Sequence, residues 1–429
     1  MTTLPGSTQV LVVGGGPSGA STAWHLAKAG LDVTLVDRAR FPRAKPCAEY
    51  VSPEGARLLH AMGALDAVER AGAPLTGMQV HAPSGDVIHG EFVAQHGFRG
   101  FRDRGIGVRR EVLDTLLLGC ARDAGVAVVE GAKVESMLAE GGTTTGARVR
   151  TEDGVRDVRA MLVVGADGLR SVVARRLGLA RTSRWPRRIA LVAHYRGIRG
   201  IGSLGEMHVT RDGYVGLAAV GDGVTNVALV VPAARGASMR GDTAEFLSSW
   251  IASQPALHDR FSAAERITPV RATGPFASHA VRAWAPGTLL VGDAADFYDP
   301  FTGEGIYAAL LGGELAAPHA AGAVRAMARG SAGGSRQALQ QYERTRRTAF
   351  AGKWRVEQLI GAAVAQPWLM NHAARVLGRD RDLADLLVGV TGDFVPPSAV
   401  LSPGVLLRFL VPRRRSRISS ATSLHVHRQ

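Results

Sequence analysis

Cysteine and lysine are scarce in this chain. Its 429 residues hold two cysteines, Cys47 and Cys120, far apart and in no CxxC pair. They can build neither a disulfide framework nor a thiolate zinc site, and a reducing cytoplasm is the expected compartment. No run of 18 apolar residues occurs, so no transmembrane helix is expected. Met1 to Ser7 is short and polar, without the basic-then-apolar profile of a signal peptide. HExxH, the GxSxG nucleophile elbow and paired CxxC are also missing, which leaves hydrolase and zinc chemistry without support, and no metal is expected. No helix-turn-helix, zinc-finger or RNA-binding motif occurs, and no internal repeat.

What remains is an ordinary globular composition, 46% hydrophobic and 21% charged. At roughly 100–200 residues per domain the length suggests two or three domains with a sizeable core. Net charge is +14, and with only four lysines (Lys28, Lys45, Lys133, Lys353) the excess is arginine. Such a balance suits a nucleic-acid or anionic-membrane partner, or an arginine-rich solvated surface. With no motif beside it, the surface reading is adopted and no nucleic acid is expected. The dense cluster Arg413-Arg414-Arg415-Ser416-Arg417 lies in a stretch, 412–429, read as a basic disordered tail. With Leu406–Val411 before it, that tail is a candidate for weak membrane contact.

Along the chain, Gln9–Val13 is a short apolar run, Ala20–Ala29 has helical spacing closed by Gly30, and Leu31–Val36 is a second buried strand. A helix is expected over 53–69, hairpin strands over 77–92, and a helix over 110–124. A hairpin at 147–158 and a separate buried strand at 161–164 follow. The β-rich block 188–232 predicts a sheet of its own, the natural seat of a substrate. A helix over 306–328 ends at Gly330-Ser331-Ala332-Gly333-Gly334-Ser335, which reads as a linker, and residues 337–387 are helical in pattern.

Three motifs carry chemistry. Gly14-x-Gly16-Pro17-Ser18-Gly19 sits between strand and helix, and Asp37 ends the second strand. Glycines there allow a tight turn and the approach of a pyrophosphate to backbone N–H groups, and the helix N-terminus stabilises its charge. Asp37, followed by Arg38, is placed to accept from a ribose hydroxyl. Gly200-x-Gly202-x-x-Gly205 repeats the pattern, but strand follows it, so it reads as a turn and leaves room for only one dinucleotide unit. The second motif is Gly165-Ala166-Asp167-Gly168. The third is Gly292-Asp293-Ala294-Ala295, continuing through Asp299-Pro300-Phe301-Thr302-Gly303-Glu304-Gly305-Ile306.

In this order the three resemble the FAD-dependent oxidoreductases of the para-hydroxybenzoate hydroxylase superfamily, over roughly Gln9 to Leu315. The resemblance implies an α/β fold: a Rossmann-type, glutathione-reductase-like FAD-binding domain with an inserted β-sheet substrate domain and a C-terminal helical region. The FAD-binding parts fall at 1–75, 101–187 and 273–330, the substrate parts at 76–100 and 188–272, and the helical region at 331–411. It further implies that Asp293 bonds the flavin ribityl chain, that Gly303–Ile306 aims a helix N-terminus at the flavin, that Arg110 lies near the flavin and that Val134 contacts the adenine.

Within the superfamily, Phe41-Pro42-Arg43-Ala44-Lys45-Pro46-Cys47-Ala48-Glu49-Tyr50 looks most like the geranylgeranyl reductase branch. The reductases' Lys-x-Cys-Gly-Gly loop is Lys45-Pro46-Cys47-Ala48-Glu49 here. Their Tyr-x-Trp-x-Phe-Pro channel motif is Tyr214-Val215-Gly216-Leu217-Ala218-Ala219. The tryptophan-halogenase motif Trp-x-Trp-x-Ile-Pro is absent. Cys47 is a candidate proton donor near the flavin, or a packing residue. One of His194 and Tyr195 faces the pocket, by strand alternation, and Tyr214 and Gly216 stand on a neighbouring strand.

The expected function is that of a monooxygenase. NADH or NADPH transiently reduces FAD, and molecular oxygen is the co-substrate for hydroxylating or epoxidising a hydrophobic small molecule in natural-product tailoring. The alternatives are C=C reduction of the geranylgeranyl reductase type and non-catalytic prenyl binding.

Overall fold

The computed structural model describes residues 3–182, 187–237, 239, 242–297 and 299–410. The stretch read as a basic tail lies outside the described residues.

The chain opens with β1 (Ser7–Val13), α1 (Pro17–Lys28) and β2 (Val33–Asp37). Val10–Val13 pair in parallel with Val33–Val36, and both runs are buried. Continuous β-branched runs are what a parallel sheet under helices requires. Beyond β2 the chain forms α2 (Gly55–Ala61) and α3 (Leu65–Ala71), where the spacing predicts one helix over 53–69. Gly63, at φ +78°, turns left-handed between them and ends the first.

The hairpin β3 (Gly77–His81) and β4 (Val87–Glu91) belongs to a second sheet, and α4 (Arg110–Asp123) leads back to the first. β5 (Ala127–Glu130) lies beside β2, followed by β6 (Lys133–Glu140), β7 (Thr143–Thr151) and β8 (Gly154–Gly165). β8 corrects the sequence reading. The hairpin and the buried strand expected separately are one strand, antiparallel to β7 in its first half and parallel to β1 from Arg159 on.

β9 (Arg188–Arg196), β10 (Leu204–Val209), β11 (Tyr214–Ala219) and β12 (Val224–Pro232) extend the second sheet in the order β9-β12-β11-β10-β3-β4, and two short strands, Glu265–Arg266 and Arg271–Thr273, also pair with β9. Its two faces have different partners. Tyr195, Val215, Leu217 and Val227 pack with Leu247, Trp250 and Ile251 of α5 (Thr243–Ala252). Ala190, Val192, Tyr214 and Val230 point the other way, toward the C-terminal helices.

β13 (Thr288–Leu290) completes the parallel run β13-β8-β1-β2-β5. α6 (Gly305–Ala328) then crosses α1 closely. A Cβ at Gly313 would stand 2.5 Å from Ser21 Oγ, whose hydroxyl donates to Leu310 O.

Of the six residues expected as a linker, Gly330 and Ser331 turn between two helices and the other four open the second helix. Gly330 ends α6 at φ +72°, and Ser331 Oγ accepts the Gly334 N–H as N-cap of α7 (Ala332–Ala365). Residues 337–387, expected to be helical, are broken twice. Pro367 starts α8 (Pro367–Leu377), and the Asp380 carboxylate caps α9 (Arg381–Thr391). α10 (Pro403–Leu410) follows. Among the described residues no helix is long and apolar enough to cross a membrane.

Candidate functional site

The ends of β1, β2, β8 and β13 open onto one cavity of about 870 Å³. That is at the upper end of the ~300–1,000 Å³ typical of ligand sites. Its rim is built by glycines. A Cβ at Gly14 (φ +108°) would lie 2.4 Å from Ala166 O, and one at Gly19 only 1.8 Å from Gly14 O. No side chain caps α1 at Gly16, and Pro17 occupies its first turn, so unpaired N–H groups and the positive helix end face the cavity. Asp37 closes the loop from below: Oδ2 accepts the Gly15 N–H at 2.7 Å and Oδ1 the Ala39 N–H at 2.8 Å. Each oxygen keeps a second lone pair for a ribose hydroxyl.

Ser18, Arg38, Val134 and Ile306 line the same cavity. So does Asp167, but it is engaged in folding: its carboxylate accepts from Ser171 Oγ and the Val172 N–H, both at 2.5 Å, and burial raises its pKa. Asp293 lies across the cavity beside Lys45, whose pKa burial lowers and Asp293 raises. Gly292 (φ +57°) has no room for a Cβ, which would meet Ser18 at 2.8 Å. Eight Lys or Arg and three Asp line the cavity, an excess that suits a diphosphate. Size, glycine cradle, helix end and charge all fit a dinucleotide such as FAD.

Arg110, 5% exposed, holds Asp114 through two hydrogen bonds of 2.8 and 2.9 Å, and its guanidinium also faces the Cys47 thiol. Burial opposes the Arg110 charge, and the Asp114 carboxylate outweighs it and holds the guanidinium charged. Cys47 Sγ accepts the Glu49 N–H at 3.4 Å.

Beside the cofactor cavity lies a second, mostly apolar pocket of about 60 Å³. Met78, Met207, Ala218, Ala228, Val230 and Phe301 supply its apolar wall, and Tyr214 and Gly216 line it too. The Tyr214 hydroxyl donates to Asp299 at 2.8 Å, and Arg188 pairs with the other Asp299 oxygen. Pro300 and Gly303 (φ +72°) border both this pocket and a third space under the start of α6 and beside α7. Gly305 belongs to that third space and to the cofactor cavity. Ala48 borders the apolar pocket and the cofactor cavity; Cys47 borders the cofactor cavity and the third space but not the apolar pocket.

Of the strand pair His194 and Tyr195, His194 takes the cofactor side. Its Nε2 meets Glu49 rather than lining the pocket. Tyr195 is corrected out of the substrate side, because alternation turns it into the α5 core against Phe261.

The sequence reading missed Glu49, Asn226 and the buried group Glu304, Lys353, Glu357 and Asp393. Glu49 and Glu304 lay inside motifs already singled out, but nothing local marks Asn226, Glu357 or Asp393. On the far face of the second sheet, ligand atoms of His81, Glu206 and His208 gather within 4.8 Å of one another. Arg260 already bonds both Glu206 oxygens, which leaves the carboxylate committed to an ion pair.

Residues 7–356 match the protein family described as FAD binding domain. Digeranylgeranylglycerophospholipid reductase 2 of Methanopyrus kandleri is 30% identical over 324 residues, covering 73% of this chain and 77% of that protein. Among solved structures, the myxobacterial chondrochloren halogenase has a TM-score of 0.75 over 84% of both chains at 25% identity. A geranylgeranyl bacteriochlorophyll reductase-like protein from Thermoplasma acidophilum has a TM-score of 0.70 over 94% of this chain and 96% of that one. At 23% identity it speaks for the fold.

Proposed function

The chain belongs to the FAD binding domain family and is an FAD-dependent oxidoreductase, and on that premise we propose that it is a monooxygenase that hydroxylates or epoxidises a hydrophobic small molecule. The observation that carries this reading is the division between the two pockets. The apolar pocket on the second sheet abuts the cofactor cavity through Ala48, while the Cys47 thiol stays on the cofactor side. A substrate seated there would approach the cofactor from the Ala48 side, in an apolar pocket that the Cys47 side chain does not line.

Bound in the large cavity, FAD supplies two-electron redox and oxygen chemistry. The chain's own part is to bind, orient and exclude water. Gly14–Gly19, Asp37 and Asp293 would hold the dinucleotide. The methionine and aliphatic wall of the small pocket strips water from the reacting end of the substrate. Tyr214, fixed by Asp299, sets the polar edge of that pocket. At about 60 Å³ the pocket takes the reacting end alone, with the rest of the molecule outside. In the net reaction NADH or NADPH gives a hydride, a proton is consumed, one atom of O2 enters the substrate and the other leaves as water.

A second reading, reduction of a C=C bond, is favoured by Cys47 beside Arg110 in the cofactor cavity and by the archaeal lipid reductase that is 30% identical. The experiment is turnover of the yellow holoenzyme with NADPH or NADH under isotope-labelled O2, offered hydrophobic phenols and polyprenyl chains. Labelled oxygen in the product is expected. A saturated, unlabelled product formed equally well without oxygen would replace this reading with the second.

A further inference from the structure

Three carboxyls and one ammonium are enclosed where α6 begins. Glu304 immediately precedes α6, Lys353 and Glu357 lie one turn apart on α7, and Asp393 follows α9. Lys353 Nζ stands 3.4 Å from Glu304 Oε2 and also pairs with Asp393. The Glu304 and Glu357 carboxyls are within hydrogen-bond reach of each other, which two buried carboxylates can satisfy only by sharing a proton. Asp393 Oδ2 is buried with no hydrogen-bond partner, and the Asp393 side chain is 3% exposed. Facing the group from other elements are Tyr50, Ser52, Thr302, Tyr307 and, toward Glu357, Asp299. One positive charge thus meets three carboxyls in a place that disfavours net charge.

Glu304 and Glu357 both border the third space, which also reaches Cys47, Asp293 and Gly303, so the carboxyl pair opens toward the cofactor cavity. Burial brings Glu304, Glu357 and Asp393 up to about 7, while the three carboxylates raise Lys353 despite its own burial.

We propose that Glu304 and Glu357 form a proton-sharing carboxyl pair that serves the cofactor edge at the N-terminus of α6, with Lys353 and Asp393 setting how tightly the proton is held. Hydride transfer to FAD leaves one negative charge on the cofactor. The pair answers it by breaking its one O–H bond: the proton passes to the reduced cofactor, the pair becomes two carboxylates beside Lys353, and solvent later restores the proton. This role needs FAD in the cavity and is the same for oxygen transfer and for alkene reduction.

The test is an infrared titration of the holoenzyme across about pH 6 to 8, followed by a reduced-minus-oxidised difference spectrum recorded after anaerobic photoreduction. The expected result is a protonated-carboxyl band at neutral pH that titrates away as pH rises and changes on reduction. Glu357→Gln should lose both features, and Asp393→Asn, by removing a nearby negative charge, should move the titration to lower pH. A wild-type spectrum with no such band, a band untouched by Glu357→Gln, or a band that ignores reduction would overturn the proposal. If Glu357→Gln does not fold, an unshifted titration in Asp393→Asn would do the same.

Discussion

His194 Nε2 stands 2.7 Å from Glu49 Oε2, tying the second sheet to the loop that carries Cys47. Asn226 Nδ2 donates to the same carboxylate oxygen at 2.9 Å and to Cys47 O at 3.0 Å, while Glu49 Oε1 accepts the Arg110 N–H at 2.8 Å. Glu49 holds this position at φ +60°, where the resembling reductases carry glycine. A left-handed residue with a side chain costs roughly 1–2 kcal/mol, and the contacts of its carboxylate offset that strain. Three contacts to one carboxylate thus join the second sheet, the Cys47 loop and the start of α4.

Removing that carboxylate should be felt in stability and in FAD retention together. Glu49→Ala leaves the Arg110 N–H and one of the two Asn226 amide N–H groups without an acceptor, at about 1–3 kcal/mol each. Urea denaturation of the holoenzyme measures it. A loss under about 0.5 kcal/mol would show that the contact does not couple the sheet to the loop.

The glycine cradle tolerates no side chain. Gly19→Ala drives a Cβ into Gly14 O, and the purified protein should lack yellow colour, with FAD affinity down at least ~100-fold by titration. Asp293→Ala should weaken FAD while the apoprotein still folds, because this carboxylate faces the cavity and not the core. Full FAD occupancy in both variants would remove the cavity as the cofactor site.

The apolar pocket can be filled without disturbing the cofactor. At Gly216 a Cβ comes closest to Met207 Sδ, at 3.1 Å, with the Glu206 O at an ordinary 3.9 Å, and a thioether can shift. Gly216→Leu should keep its FAD spectrum and lose about tenfold or more in turnover of a hydrophobic substrate, a penalty of ~1.4 kcal/mol or more. Unchanged turnover would place the substrate elsewhere.

The far face of the second sheet predicts an acid-sensitive contribution. Burial would raise the Glu206 pKa, but Arg260 and His208 outweigh it and bring it down to about 2. A folded value below the unfolded one stabilises fully above about pH 4.5, and that stability is lost as pH falls toward 2. After solvent screening of the partly exposed Arg260, the contribution is about 1–3 kcal/mol. Arg260→Met should destabilise the protein at neutral pH and flatten this acid limb in urea titrations. An acid limb as steep as wild type would assign it to other carboxylates.

Much of the lining of the large cavity was readable because the features that build it are local. Turn, pyrophosphate cradle and helix end need glycines within a few residues of one another, and Gly14–Gly19, Gly292–Asp293 and Gly303–Ile306 carry them in short runs. Asp167 was legible as part of the cavity but not as the carboxylate that caps Val172–Arg176. Strand alternation placed His194 and Tyr195 on opposite faces without saying which was inside. The linker over 330–335 failed for a related reason: serine and glycine suit a flexible tether and an N-capped helix start equally well.

The sequence alone determined the cofactor class, the βαβ start and the second sheet, because strand and helix periods and glycine turns are properties of neighbouring residues. Tertiary structure decided which face of β9 turns to the large cavity, that Cys47 does not line the apolar pocket, and that Glu304, Lys353, Glu357 and Asp393 share one enclosure. The last brings together the start of α6, two positions on α7 and the end of α9. Nothing in the spacing of those residues announces the meeting. Helix packing creates it, and low dielectric gives it chemical consequence.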